Sequence, residues 1–152
     1  MTNQRADNLL NAYSILDWNV YVQLCDELIK IDREDLEAEL TKQAYRYSHY
    51  NGLLALAKRD RDNAVKDVET FFAKTRTETA AEILERTKKK ATDKALDALV
   101  IGSDEYKELN TKAEAAKEKF NLLQALVRSL EMRKDMLVQL SSNARSEAKL
   151  YN

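Results

Sequence analysis

Between Glu34 and Lys90, apolar or small side chains return at Leu36, Leu40, Tyr47, Tyr50, Leu54, Ala57, Ala64, Val65, Val68, Phe71 and Phe72. The gaps alternate near three, four and seven, the rhythm of one helix face with a coiled-coil period. A cleaner pattern begins at Asp104. One register reads Tyr106, Ala113, Phe120, Val127, Lys134, and a second reads Leu109, Ala116, Leu123, Leu130, Leu137, Ala144. Leu122, Leu126 and Val138 widen this apolar face beyond a two-stranded seam, and Ala113, Ala115, Ala116 and Ala125 permit close backbone approach.

The breaks between these runs are few. Asn51-Gly52 is the weak point of the first run. A glycine inside a helix costs about 1 kcal/mol against alanine, which permits a kink without forcing a break. The stripe continues in phase across it, so one helix of ~85 Å is expected over residues 34–90 at about 1.5 Å per residue. Past Phe72 the stripe thins to threonines, with Ile83 and Leu84 remaining, and poorer packing is expected there. Asp17 is suited to cap a short helix running through Ile29, and Thr92 one running through Val100. Gly102 suits a left-handed C-cap, and Ser103 or Asp104 suits the start of the last helix.

The architecture these elements predict is all-α. A long antiparallel helical hairpin goes out over 34–90, turns over 92–100 and returns over 104–150. Short apolar-rich helices in residues 1–32 form a part of their own, for packing or oligomerisation. An apolar face left over on such a hairpin marks an interface. A homo-oligomer joined through Trp18, Leu122, Leu126 and Val138 is therefore expected.

Composition sharpens this picture. Only two glycines and no proline occur in 152 residues, where average usage gives roughly 10 and 7. Sheet folds need turns, and turns use both residues. No apolar run approaches the ~20 residues of a membrane span, and Met1 to Ala6 do not open a secretory leader. Cys25 is the single cysteine, which excludes an intrachain disulfide and suits a reducing cytoplasm. His49 is the single histidine; no second His or Cys stands at ligand spacing, so neither a metal site nor a cofactor is expected. Asp60 and Asp62 lack the glycine and closing glutamate of a calcium loop, and no glycine-rich phosphate loop is present. Catalysis is the class this sequence least supports.

The net charge of −1 hides an asymmetry: residues 1–57 carry −4, residues 58–94 carry +3, and residues 95–152 carry zero. The central stretch is thus the candidate polyanion surface. It holds Lys58, Arg59, Arg61, Lys66, Lys74, Arg76, Arg86 and the run Lys88, Lys89, Lys90, with Tyr45, Tyr47 and Tyr50 a few turns before it. Basic groups beside aromatic rings hold single-stranded nucleic acid by phosphate pairing and base stacking. Two plainer readings stand beside this one. Asp60, Asp62, Asp67 and Glu69 interleave, and pairs such as Asp62–Lys66 absorb charge; the lysine run also complements the dipole at a helix C-terminus.

The stretch 58–137 resembles the UvsY-like recombination mediators of tailed phages. The resemblance is carried by Lys58 and Arg59 with nearby Asp60 and Asp62, by Lys90-Ala91-Thr92-Asp93-Lys94 leading into Ala95 to Val100, by Asp104, Tyr106 and Leu109, and by Arg133 and Leu137. It covers about residues 34–140 and is a style of residue placement rather than a signature motif. It implies a ring-like homo-oligomer that binds single-stranded DNA, engages a single-strand-binding protein and helps load a RecA-like recombinase in DNA recombination and repair. On that resemblance Lys58, Arg59, Lys66, Lys88, Lys89 and Lys90 contact phosphates. The alternative is a structural or scaffolding coiled-coil oligomer of a phage particle with no DNA binding.

Overall fold

A chain with two glycines and no proline has little to stop a helix once one has begun, and the long apolar stripes do fold as long helices. The computed structural model describes Tyr13 and residues 16–150, and among these residues the secondary structure is entirely helical. The elements are α1 (Trp18–Ile29), α2 (Leu36–Thr87), α3 (Asp93–Gly102) and α4 (Asp104–Leu150). The expectations for residues 1–12, 14, 15, 151 and 152 lie outside the described residues.

The caps follow local chemistry. The Asp17 carboxylate accepts the Val20 N–H at 2.9 Å and starts α1. Asp35 accepts the Ala38 N–H at 3.0 Å, and Glu37 and Glu39 place negative charge in the first turn of α2, where it complements the helix dipole. α2 then runs unbroken for 52 residues, through Asn51-Gly52. A Cβ on Gly52 would meet nothing within 4 Å, so packing does not call for the glycine there.

α2 ends at Thr87, short of the expected Lys90. Lys88 closes the last turn with its N–H on the Leu84 carbonyl at 2.9 Å, while its own φ of 57° turns the chain out of the helix. A lysine in this left-handed region costs about 1–2 kcal/mol. The Lys88–Lys90 run therefore forms the connection after the helix, and Arg86 is the basic residue of the last turn.

Thr92 caps α3 by accepting the Ala95 N–H at 3.3 Å. Gly102 is the last helical residue and has no positive φ, contrary to the left-handed cap expected of it. Ser103 does the work instead. Its backbone is extended, its N–H and hydroxyl both donate to the Val100 carbonyl, and its oxygen accepts the Tyr106 N–H at 3.2 Å. One serine thus ends α3 and begins α4.

Two units divide the chain. The first comprises residues 1–57 and 119–152, the second residues 58–118. In the first unit, Leu16, Ala57, Leu122 and Leu123 form a buried cluster, with Tyr13, Val20, Tyr21, Leu24, Leu53 and Phe120 packed against it. Leu126, Leu130 and Leu137 are fully buried further along α4. Leu122 and Leu126, expected on an oligomer interface, are thus consumed by the chain's own core. Tyr13 and Leu16 before α1, and Val20, Tyr21 and Leu24 within it, belong to the packing around Leu122 and Leu123. Trp18 and Val138 remain 61% and 54% exposed.

The first unit also buries charge. Heptad spacing places Lys134 on the stripe, yet Lys134 is exposed and Arg133 is fully buried. Arg133 stands one heptad after Leu126, three residues after Leu130 and four before Leu137, so it shares the face of those buried leucines. Arg133 Nη1 donates to Gln43 Oε1 at 2.7 Å, and Nη2 donates to the Lys30 carbonyl at 3.1 Å and to the Glu39 carboxylate. Gln43 Nε2 donates to the Leu130 carbonyl at 2.6 Å. The network joins the end of α1 to α2 and α4. Burial pushes the Arg133 guanidinium below its ordinary value, partly offset by the charge of Glu39. Burial alone would raise Glu39, but the Lys42 hydrogen bond and the charges of Arg133, Lys42 and Arg46 outweigh it and hold the carboxylate low.

The second unit buries fewer apolar side chains than the first among the described residues. Leu96, Val100 and Ala113 are its buried apolar residues among those described. Phe72 and Tyr106 meet edge to face at 6.2 Å, and Arg76 spans Asp97 at 2.8 Å and Asp93 at 2.5 Å.

Removing one partner of a buried ion pair leaves an uncompensated charge, whereas replacing both by apolar groups is often near neutral. Arg133→Ala is expected to lower unfolding free energy in urea by about 3–5 kcal/mol. The double variant Arg133→Met, Glu39→Leu is expected to recover most of that loss. Equal losses in both would show that the pair itself, and not the orphaned charge, carries the stability.

Candidate functional site

The six basic residues singled out from the sequence are all exposed, but they do not form one surface. Lys58, Arg59 and Lys66 lie within the second unit's part of α2. Arg59 and Lys66, seven residues apart, share a helix face about 10 Å apart. Lys88, Lys89 and Lys90 follow the end of the same helix. Twenty-one residues separate Lys66 from Thr87, a rise of about 30 Å.

The interleaved acids do not neutralise this stretch in the expected way. Asp62 accepts Arg61, Nη2 lying at 2.6 Å, and so the Asp62–Lys66 pair does not form. Asp60 accepts Arg59 at 3.3 Å. Both are contacts between sequence neighbours at a wet surface, and such pairs contribute about 0–1 kcal/mol. Lys58, Lys66, Lys88, Lys89 and Lys90 make no ion pair among the described residues.

A second feature lies in the first unit. Leu28, Thr41, Lys42, Tyr45, Arg46, His49 and Tyr50 line an open groove of 440 Å³. The rings of Tyr45 and His49, one helical turn apart, are stacked at 6.2 Å with 9° between their planes. His49 meets Tyr50 edge to face at 4.9 Å. Tyr45 is 58% exposed. Burial keeps the His49 imidazole below its ordinary value of 6.5 and therefore in the neutral, ring-stacking form at neutral pH. Burial also raises Tyr50, with Arg46 opposing and Glu27 and Tyr45 adding to the rise.

Arg46 supports the groove wall by donating to the Leu28 carbonyl at 3.0 Å. Tyr47, an aromatic candidate by its position, instead donates its hydroxyl to Glu131 at 3.1 Å and is not among the groove residues. Composition marks His49 only as the single histidine. The signal for its role is its four-residue offset from Tyr45, which stacks side chains on a helix.

Other hollows have different chemistry. A groove of 630 Å³ in the second unit is lined by Thr79, Glu82, Ile83, Glu85, Arg86 and Leu99, with more acid than base. Among the described residues, no group of three or more His, Cys, Asp or Glu stands close enough to hold a metal ion, and no helix is long and apolar enough to cross a membrane. No protein-family model matches the chain, and no curated protein or solved structure is detectably similar to it.

His49 makes a pH prediction. Its folded-state pKa is depressed, so the unfolded chain takes up the proton first as pH falls. The stability linked to it is complete above 6.5 and is lost as pH drops through that value and below. Urea unfolding from pH 7.5 downward is expected to show this loss in the native protein and a flatter profile in His49→Gln. Parallel profiles would show that His49 is as well hydrated in the fold as outside it.

Proposed function

We propose that this chain is a single-stranded-DNA-binding accessory of recombination, acting as a homo-oligomer to help a RecA-like recombinase load onto DNA covered by a single-strand-binding protein. The observation that carries the reading is the set of lysines left without carboxylate partners in the basic stretch, although acids lie between them. Lys58 and Lys66 with Arg59, and separately Lys88 to Lys90, are the phosphate contacts of this reading. The resemblance to UvsY-like mediators points to the same residues.

An antiparallel hairpin of α2 and α4 is the architecture that goes with it. Two residue pairings support that arrangement in the first unit: Glu39 meets Arg133, while Ala57, further along α2, clusters with Leu122 and Leu123, earlier in α4. Each basic site alone is modest. Repetition around a ring converts successive contacts into intramolecular ones, so weak sites suffice for an avid assembly. Exposed Trp18 and Val138 suit the subunit contact.

A second reading, a structural oligomer without DNA affinity, draws on Met132 and Met136, exposed one turn apart on α4. The two readings separate on salt. Each phosphate contact on a single strand contributes about −0.7 to the slope of log K against log salt. Lys58→Ala, Arg59→Ala, Lys66→Ala together are expected to weaken oligo-dT binding and flatten the slope by about 2, with helix content and oligomer size unchanged. An unaltered affinity and slope would remove these three residues from the site.

A further inference from the structure

We infer that the groove formed by Tyr45, His49, Lys42 and Arg46 in the first unit is a stacking seat for one unpaired nucleobase, with its phosphate on the cationic edge. This rests on the single-strand reading and gives it a second, chemically different contact. Tyr45 and His49 are already at the separation of a direct aromatic pair. No ring enters between them, so an incoming base stacks on the outer face of Tyr45. His49 backs that face, and Tyr50 holds His49 edge-on. The platform is thus rigid and costs little order to use.

The charge around it is unbalanced. Glu39 is the shared carboxylate of three cations: Lys42 at 3.0 Å, Arg46 at 4.0 Å and buried Arg133. With Glu27 acting on Tyr50 as a second carboxylate, two negatives against three positives leave an excess of one near the rings. The Lys42 side chain, 54% exposed, is the part of that excess an anion in water can reach.

A flat π-surface next to a surplus of positive charge matches a nucleotide, whose base is planar and whose phosphate is anionic. The groove is open and its lining is mainly apolar, supplied by the rings of Tyr45, His49 and Tyr50, the stems of Lys42 and Arg46, and Leu28. An aromatic peptide anchor instead favours a well-packed, fully desolvated pocket.

The test compares oligo-dT with an abasic deoxyribose-phosphate strand of equal length, by anisotropy, on the full chain and on Tyr45→Ala and Tyr45→Phe. The exposed position of Tyr45 makes both variants compatible with folding. The expected result is a preference of about tenfold or more for oligo-dT. Tyr45→Phe keeps the preference, and Tyr45→Ala abolishes it without changing the salt slope. Equal binding of the two strands by the native chain, or a preference that survives Tyr45→Ala, overturns the stacking seat while leaving the single-strand reading in place. Absence of binding to either strand overturns both. Tyr45-dependent binding of an acidic, phenylalanine-containing peptide in place of the strands reassigns the groove to a protein partner and also overturns the inference.

Discussion

Arg133 carries a permanently charged group into a helix face that otherwise buries leucine at 123, 126, 130 and 137. The first unit's organisation depends on making that tolerable. Glu39 supplies the counter-charge, Gln43 the neutral acceptor, and the carbonyl of Lys30 a third partner. Because the guanidinium is a fixed fork, these partners must arrive in one geometry. That requirement sets where α1 ends and how α2 and α4 are phased locally, in a way that interchangeable leucines would not. The same carboxylate also gathers Lys42 and Arg46, so the structural device leaves positive charge at the surface next to the Tyr45 platform. Stability and candidate chemistry meet at Glu39.

Much of the helical framework was legible from residue chemistry. Asp17 and Thr92 cap helices because a short acceptor side chain reaches the orphan N–H groups of a first turn, and the reading needs no tertiary information. The unbroken α2 followed from an apolar phase that does not slip at Gly52. Leu123, Leu130 and Leu137 were readable as core because their spacing is local.

What escaped was what depends on distant partners. Nothing local marks Glu39, Gln43 or Arg133 for burial, since the sequence distance between 39 and 133 hides that each satisfies the other. Leu122 and Leu126 read as an uncovered interface because nothing local says that they are buried within the chain, Leu122 in one cluster with Leu16. The chain leaves α2 after Thr87 with a lysine rather than a glycine turning left-handed, and Ser103 takes a double role through its bonds to Val100 and Tyr106. The basic stretch was visible as composition. That its arginines take the neighbouring aspartates and leave lysines open depends on side-chain reach, which composition does not encode.

The functional account thus has two unlike contacts: exposed lysines that address phosphates anywhere on a strand, and an aromatic face that addresses bases. They lie in different units, and neither is strong alone, which is why repetition in an oligomer is central to the account. Sedimentation velocity of the native chain with a fluorescent oligo-dT, followed at the dye's wavelength over a range of salt, tests that claim most directly. The account predicts one fast boundary containing several protein copies per strand, dissolving steeply as salt rises. An oligonucleotide that sediments as free strand at the lowest salt, beside a protein oligomer of unchanged size, would contradict it.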